Sequence, residues 1–524
     1  MKDRKEIFYP VASSSFRKIR EGEFLYVDKT SYIHKMVVEE KGNYIFLARP
    51  RRFGKSLLVS AMKEYFKGNR SLFKGLAIDR LQPDDWEEYP VLHFDLSGNS
   101  YMENDALKDV LGRKLSFYEK EYAVGNSSDS AYIRFENLIS SLYKKNGRGV
   151  VVLIDEYDSP ITATIDRSEL QTIFREELHG FFSVLKKMED CIRFCFLTGV
   201  TRYGKVSVFS GLNNLKDITF LNEYAGICGV TEEELHEYYT EGISLFAEKK
   251  GLTQEEAFGQ LKYFYDGYHF TSSLLDVYNP FSLNRALKYK EIKDYWCESG
   301  TPTVFLKMLI RMDYDLEKLQ DSIVTESELS NLGVFTHNPV PLFFQTGYLT
   351  LKSYDKEDKF FTLKYPNREV ETGILRNVLQ VYNPQGEDTS QVILLMKRSL
   401  RAGHPEQFVE GLRTYLAEIP GDLKKQVAKY ERYYQTVIYC LLSLLGLETR
   451  AEYGVAGGFI DLLVQTDDYI YVIELKINGT AEEAMRQIVQ KNYCTAFNLD
   501  KRRLYRIAIG FSKHEQNIKD YIID

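Results

Sequence analysis

Hydrophobic positions along the chain fall into runs of three kinds, and their order predicts an α/β fold. Unbroken apolar runs at Tyr44–Ala48 and Val150–Ile154 have the length of strands buried on both faces of a parallel sheet, and Val91–Leu96 (with His93 and Asp95) and Ile192–Leu197 (with Arg193) read as further strands. Between them lie helical patterns, one opening at Lys55 and one running from Asp105 to Tyr143. Phe24–Val27 reads as a strand in an N-terminal lead-in, and Ile218–Phe220 as the last strand of the sheet. From residue 236 to 420 the spacing is mainly helical, interrupted by the turn-rich Asp266–Phe270 and Tyr278–Phe281. Within it a helix from Glu326, then Phe343–Thr350 and Phe360–Leu363, reads as a winged-helix-like helix and hairpin. The last hundred or so residues change period: an amphipathic helix (Tyr434, Ile438, Leu441, Leu445) precedes two alternating runs, Phe459–Gln465 and Tyr469–Ile477. The pattern predicts three parts, 1–235, 236–420 and 421–524.

The first apolar run leads directly into chemistry. Arg49-Pro50-Arg51-Arg52-Phe53 follows Tyr44–Ala48, and Gly54-Lys55-Ser56 then opens the helical pattern. This strand–loop–helix order is that of a phosphate-binding P-loop, whose backbone N–H groups and helix dipole face the phosphates. Lys55 is placed to reach the β- and γ-phosphates, and the Ser56 hydroxyl to hold Mg²⁺. Arg49 stands where the usual G-x-x-x-x-G-K-[ST] pattern has its first glycine. Alone, Gly-Lys-Ser also fits an ordinary strand-to-helix turn with a basic rim.

A second motif decides between these readings. Val150–Ile154 ends in Asp155-Glu156, and the packing of a buried strand gives no reason for two acids at its C-terminal end. A nucleotide bound there does. Asp155 then holds Mg²⁺ through water, and Glu156 is the general base that polarises the attacking water. Thr198, at the tip of the next strand, is placed to sense the γ-phosphate. Arg202 and Lys205 read either as charges that neutralise the transition state or as solvated loop charges. Asp28-Lys29-Thr30 is similarly open, between a local helix cap and a contact to base or ribose. Thr231 with Glu234 predicts a capping box.

The C-terminal runs carry another constellation. If Asp467-Asp468 is a two-residue hairpin loop, Thr466 pairs with Tyr469, and counting back places Asp461 opposite Glu474. Alternation then puts Lys476 on their face and Ile460, Leu462, Val464, Tyr471, Ile473, Leu475 and Ile477 on the other, as a core. Two facing carboxylates repel unless a cation sits between them, which a divalent metal does. Lys476 beside it can stabilise the attacking water or the developing charge on phosphorus. The bland alternative is an edge hairpin with a solvated acid–lysine cluster. Thr480 with Glu483 predicts a capping box for a helix bearing Gln487 and Lys491 on one side. Glu431, at the start of the amphipathic helix, is a candidate third acidic metal ligand.

Composition narrows the class. At 524 residues the chain exceeds a single core. A net charge of −7 argues against a surface coated for nucleic acid while leaving room for a local basic groove such as Lys501-Arg502-Arg503. No apolar run is long enough to span a bilayer and no signal-peptide pattern opens the chain, so a cytoplasmic protein is expected. The six cysteines lack CxxC spacing and read as buried thiols.

The segments FLYVDKT, FLARPRRFGKSLL, VVLIDEYDSPI, FLTGVTRYGKVSVFSGLNNLKDIT, YDGYHF and VYNPFSLNRAL resemble the bacterial AAA-ATPase-like family fused to a C-terminal PD-(D/E)xK nuclease-like domain. Arg49 agrees with that family's RPRRFGKS loop. The D-x₁₂-E-x-K spacing of Asp461, Glu474 and Lys476 is similar to the nuclease signature, with Ile460 where its Pro would stand. The resemblance implies a P-loop NTPase sheet, a lid-like middle and a restriction-endonuclease-like α/β domain. It further implies ATP with Mg²⁺ as cofactors, Mn²⁺ as an alternative at the nuclease site, and DNA as substrate. It also implies phosphate contacts from Arg51 and Arg52, a substrate-orienting Gln487, a phosphate-binding Lys491, and a role in genome defence or mobile-element biology. A homo-oligomer is compatible with it, because many P-loop ATPases use a neighbour's arginine. The competing expectation is a nucleotide-switched signalling or scaffold ATPase whose C-terminal domain binds without cutting.

Overall fold

The computed structural model describes residues 7–41, 43–84, 86–125, 128–202, 208–209, 212, 214–298, 314, 319–330, 338–382, 389–419, 430–512 and 517–524. The chain forms two compact units, Met1–Trp296 with Gln320–Val370, and Cys297–Leu319 with Glu371–Asp524. The expected middle part, 236–420, is therefore divided between them. Burial explains the division. Helices Glu232–Lys250, Gln254–Tyr265 and Pro280–Tyr289 share a core with Tyr9 of the N-terminal segment, through Leu235, Tyr239, Ile243, Leu261 and Leu283. Helix Pro405–Glu418 instead packs in the second unit, where its Arg413 carbonyl accepts from Asn517.

The first unit is built on a five-stranded parallel sheet: β1 (Tyr44–Ala48), β2 (Val91–Asp95), β3 (Val150–Asp155), β4 (Ile192–Gly199) and β5 (Lys216–Asp217). Its order is β2-β3-β4-β1-β5, so β4 lies between the strand that feeds the phosphate loop and the strand that ends in acids. Every residue of β1 and β3 is buried, as an apolar run covered on both faces requires. Two expectations shift. The last strand is Lys216–Asp217, with Ile218–Phe220 just beyond it. Phe24–Val27 is in no strand, although Leu25 N–H donates to Phe8 carbonyl. The helical stretch after β2 is two helices, Ala106–Glu121 and Ala131–Asn146.

A two-stranded ribbon, β6 (Val230–Thr231) with β7 (Val277–Tyr278), and an antiparallel sheet of β8 (Ile323–Thr325), β9 (Thr350–Tyr354) and β10 (Phe360–Lys364) complete the unit. Phe343–Gln345 belong to a helix, Val340–Gln345, that precedes the β9–β10 hairpin. The second unit carries β11 (Glu448–Val455), β12 (Gly458–Gln465), β13 (Tyr469–Ile477), β14 (Arg503–Ser512) and β15 (Asn517–Ile523) in sequential order. Only β13–β14 is parallel among these pairs, and helix Ala481–Gln490 is the crossover between them. Ala484 and Ile488 of that helix pack on Leu463, Ile470 and Val472. The face that bears Glu474 is thus covered too, where the sequence suggested one apolar face.

Candidate active sites

The phosphate loop turns on two left-handed residues. Gly54 has φ of 99° immediately before the helix Lys55–Phe66, and Arg52 has φ of 66°. Phe53 anchors the loop: it is buried edge-on to Tyr268 and Phe270, and its carbonyl accepts from Gly229 N–H. The YDGYHF stretch therefore acts as an aromatic clamp behind the loop. Its His269 is held by Leu351 carbonyl at 2.6 Å and Asp276 at 2.7 Å, a structural placement. Arg49 is buried at 1% exposure, donating to the carbonyls of Ala48, Thr219 and Tyr224 and stacking on Phe270. Burial lowers its pKa to about 10, still a cation at neutral pH. The residue in place of the first loop glycine thus ties β1 to the chain after β5.

Lys55 is buried behind this loop, its Nζ 3.3 Å from Glu156 and donating to Pro50 carbonyl at 3.2 Å. Burial alone would lower its pKa, but Glu156, Asp155 and Asp158 together hold it above its ordinary value. Glu156 leaves β3 in the left-handed region, with φ of 52°, a conformation an L-residue adopts only under constraint. Asp155 is 3% exposed and accepts from the Ser56 hydroxyl, while its Oδ1 is buried with no hydrogen-bond partner among the described residues. Burial, reinforced by Glu156, pushes its carboxyl up to about 6. Such an orphaned oxygen beside a serine hydroxyl fits a divalent cation.

Sequence reasoning missed Asp158. This carboxylate is 1% exposed and accepts from Val200 N–H, Thr201 N–H (2.7 Å) and the Thr201 hydroxyl. It ties the turn after β3 to the loop after β4. Burial raises it to about 6. Gly199 is required for this approach, because a Cβ there would lie 2.3 Å from Asp158 Oδ1. The signal was present in the acid spacing of Asp-Glu-Tyr-Asp, but its partner lies in a loop more than forty residues away.

Other expected residues are engaged elsewhere. The Thr198 hydroxyl donates to Leu47 carbonyl at 2.7 Å, committing it to the neighbouring strand. Arg51 lies over the Trp296 ring and near Tyr348 hydroxyl, and Arg52 lies 4.0 Å over Phe281. Arg202 pairs with Asp217 and Ser330, and its N–H donates to Gln345. Lys205 lies outside the described residues. Asp28 accepts from Thr30 and Ala77 N–H groups, the local-cap alternative, and Lys29 is gripped by Glu234 and Gly226 carbonyl.

In the second unit the hairpin has the register counted from its turn. Thr466 N–H donates to Tyr469 carbonyl and Leu462 pairs with Ile473, so Asp461 faces Glu474. Asp461 Oδ2 accepts from Leu475 N–H at 2.8 Å. Glu474 has no exposed surface; Oε1 accepts from Lys476 Nζ at 3.0 Å, and Oε2 is buried with no partner among the described residues. Burial, then Asp461, pushes Glu474 up to about 7 against the opposing pull of Lys476. Here too a carboxylate oxygen is left for a cation. Gln487 donates to Tyr493 hydroxyl, while Lys491 is exposed at the C-terminal end of helix Ala481–Gln490. Glu431 is on helix Tyr430–Leu444, but its side chain lies outside the described residues.

Residues 10–209 match the family model described as predicted AAA-ATPase, and residues 429–521 match that of the PD-(D/E)XK nuclease superfamily. A protein of Azotobacter chroococcum mcd 1, described as an uncharacterized protein in the vnfD 5′ region, is 32% identical over 529 residues, covering 98% of each chain. No helix among the described residues is long and apolar enough to cross a membrane. With both domain models matched in order and a relative aligned over nearly its whole length, the chain belongs to the AAA-ATPase-like family that carries a C-terminal PD-(D/E)XK nuclease-superfamily domain.

Proposed function

We propose that the first unit binds and hydrolyses ATP and thereby controls a divalent-metal-dependent phosphodiesterase in the second, acting on DNA in the cytoplasm. One observation carries this reading. At each site a buried carboxylate beside a lysine keeps one oxygen without a partner among the described residues: Asp155 Oδ1 near Lys55, and Glu474 Oε2 near Lys476. Leaving such an atom bare costs about 1–3 kcal/mol or more, a cost relieved by a cation.

Ser56 and Asp155 would hold Mg²⁺ at the first site; Asp461 and Glu474, with Glu431, would hold Mg²⁺ or Mn²⁺ at the second. Bound there, the cation offsets phosphate charge and acidifies water. Lys55 turns from Glu156 to the β- and γ-phosphates, and Glu156, relieved of its pair, accepts the proton of the attacking water. Asp158 keeps the loop after β4 in register with β3, with Thr198 fixing the strand tip; Arg51 and Arg52 would reach outer phosphate oxygens only on leaving the Trp296 and Phe281 rings. At the second site Lys476 offsets charge developing on phosphorus, Gln487 orients the substrate and Lys491 meets a neighbouring phosphate.

The test is cleavage of plasmid and linear DNA with Mg²⁺ or Mn²⁺, with and without ATP, by wild type, Lys55→Ala and Lys476→Ala. Lys476→Ala is expected to lose cleavage and keep ATP turnover, and Lys55→Ala to lose the response to ATP. Equal cleavage by wild type and Lys476→Ala removes the nuclease assignment.

A further inference from the structure

The parallel sheet has a second end. The phosphate loop and the paired acids lie where β1 and β3 finish. Where the strands begin, a pocket of about 610 Å³ is lined by Asn43 ahead of β1, Tyr89 ahead of β2 and Arg193 at the start of β4. A volume of that order suits a small organic ligand or one unit of a polymer. Helix Lys55–Phe66 opens in the phosphate loop, and its last two residues, Tyr65 and Phe66, reach the pocket wall. Its 12 residues span about 18 Å, so this pocket is separate from the triphosphate site.

The wall is aromatic and fixed in place before any ligand arrives. Tyr65 and Phe66 are buried, while Trp86 and Tyr89 keep part of their surface exposed. Trp86 meets Tyr65 edge-on at 5.2 Å, and its indole N–H donates to the Gln82 carbonyl at 2.9 Å. The Tyr65 hydroxyl donates to the Gln82 side chain at 2.8 Å, which closes the cluster. Two cations stand beside these rings, the exposed Lys41 and Arg193. Arg193 donates to the Val37 carbonyl at 3.4 Å, a long bond that engages one of its five N–H donors. Glu87 is the one carboxylate among the described lining residues; it accepts from the Tyr89 hydroxyl and lies 3.8 Å from Arg148. Its charge is answered by the protein, and the pocket is left cationic.

We propose that this pocket binds a nucleoside phosphate, with the base against Trp86 and the phosphate on Arg193 and Lys41. Bases stack on aromatic side chains whatever their identity, and a guanidinium gives phosphate two parallel hydrogen bonds. An acidic peptide would answer the cations and leave the rings bare; an apolar ligand would do the reverse. The same chemistry is offered by an unpaired nucleotide in a strand and by a free nucleotide. Neither the ATP reading nor the cleavage reading is needed for this site.

Trp86 and Trp296 are the two tryptophans of the chain, and Trp296 is fully buried with its indole N–H on the Arg51 carbonyl. The experiment titrates the tryptophan emission of the full chain, in EDTA, with three probes: a short oligothymidylate, thymidine monophosphate and inorganic phosphate. Stacking on Trp86 is expected to quench emission with the first two and not with the third, and Trp86→Phe to abolish the quench. Arg193→Ala is expected to weaken affinity roughly tenfold, because a charge-assisted contact to phosphate is lost. Lys41→Ala is expected to weaken it severalfold, and its exposed side chain makes it the variant to use where Arg193→Ala does not fold. A tighter oligomer assigns the site to a strand and equal affinities assign it to a free nucleotide; both uphold the proposal. Absence of a quench by either nucleotide probe overturns it, as does a quench that survives Trp86→Phe or an affinity unmoved in both cation variants.

Discussion

At Lys55 the carboxylates arrive from the end of a parallel strand and the turn beyond it; at Lys476 they face each other across one antiparallel hairpin. The first arrangement draws on segments more than a hundred residues apart, and it holds the lysine with 2% of its side chain exposed between Pro50 carbonyl and Glu156. The second uses a single hairpin, and its lysine is 31% exposed with one recorded carboxylate partner. In the proposed reading a lysine already compensated by its own protein can be switched, because a triphosphate would displace Glu156 to reach it. Among the described residues the hairpin site has no such resting partner for Glu474 Oε2. In the proposed reading a cation completes it.

The strongest break in that comparison comes from Glu156→Gln. It removes both the proposed base and the resting partner of Lys55, so ATP turnover is expected to fall by roughly hundredfold or more while ATP binding is kept or tightened. Turnover and nucleotide binding measured side by side decide; unchanged turnover would remove Glu156 from the base role. Next is Asp158→Ala, which strands three donors, the part-buried Val200 N–H and the buried N–H and hydroxyl of Thr201. A loss of about 3 kcal/mol in stability of the first unit is expected by denaturant titration. Gly199→Ala pushes a methyl against the same carboxylate and is expected to cost about 1–3 kcal/mol. A midpoint unmoved by either change would mean that the tether between β3 and β4 is not structural.

How much of this was legible in the chain depends on distance. Val150–Asp155 announced itself as a buried strand with acids at its end, and the Asp467-Asp468 turn was enough to count Asp461 onto Glu474. Both are local patterns, in which period and turn length determine which residues meet. Arg49 shows the limit. Its position in the loop was plain, but the carbonyls of Thr219 and Tyr224 that receive it are 170 and 175 residues away. Asp158 was hidden for the same reason. The second apolar face of the C-terminal sheet was missed because an alternating strand with Glu474 and Lys476 at its end reads as solvated until a helix is seen to cover Ile470 and Val472.

A smaller effect follows from protons. Glu474, lifted to about 7, binds its proton more tightly in the folded chain than in the unfolded one. Its contribution to stability is therefore greatest at low pH, and it is lost as pH rises from the ordinary carboxylate range through about 7. In the proposed reading a divalent cation competes with that proton. Thermal stabilisation by Mn²⁺ is expected to grow between about pH 5 and 7 and level off above, and Glu474→Gln should remove this pH dependence. A slope that survives Glu474→Gln would place the cation elsewhere.

The finest comparison uses one motif present in both units. Thr231 with Glu234 and Thr480 with Glu483 each form the reciprocal capping box of a helix. Threonine to alanine at either cap should cost about 1 kcal/mol, because one N-terminal N–H loses its acceptor. The consequences should part company. Glu232–Lys250 is a helix of 19 residues that shares a broad core with two others, and loss of its cap should lower only the stability of the first unit. Ala481–Gln490 has 10 residues, and its Ala484 and Ile488 cover the strand face that buries Glu474. Fraying it admits water to that carboxylate and lowers the pKa that burial had raised. Thr480→Ala is therefore expected to shift the pH dependence of Mn²⁺ stabilisation toward lower pH, while Thr231→Ala leaves it in place. Matching curves for the two variants would show that cover by this helix does not set the protonation of Glu474.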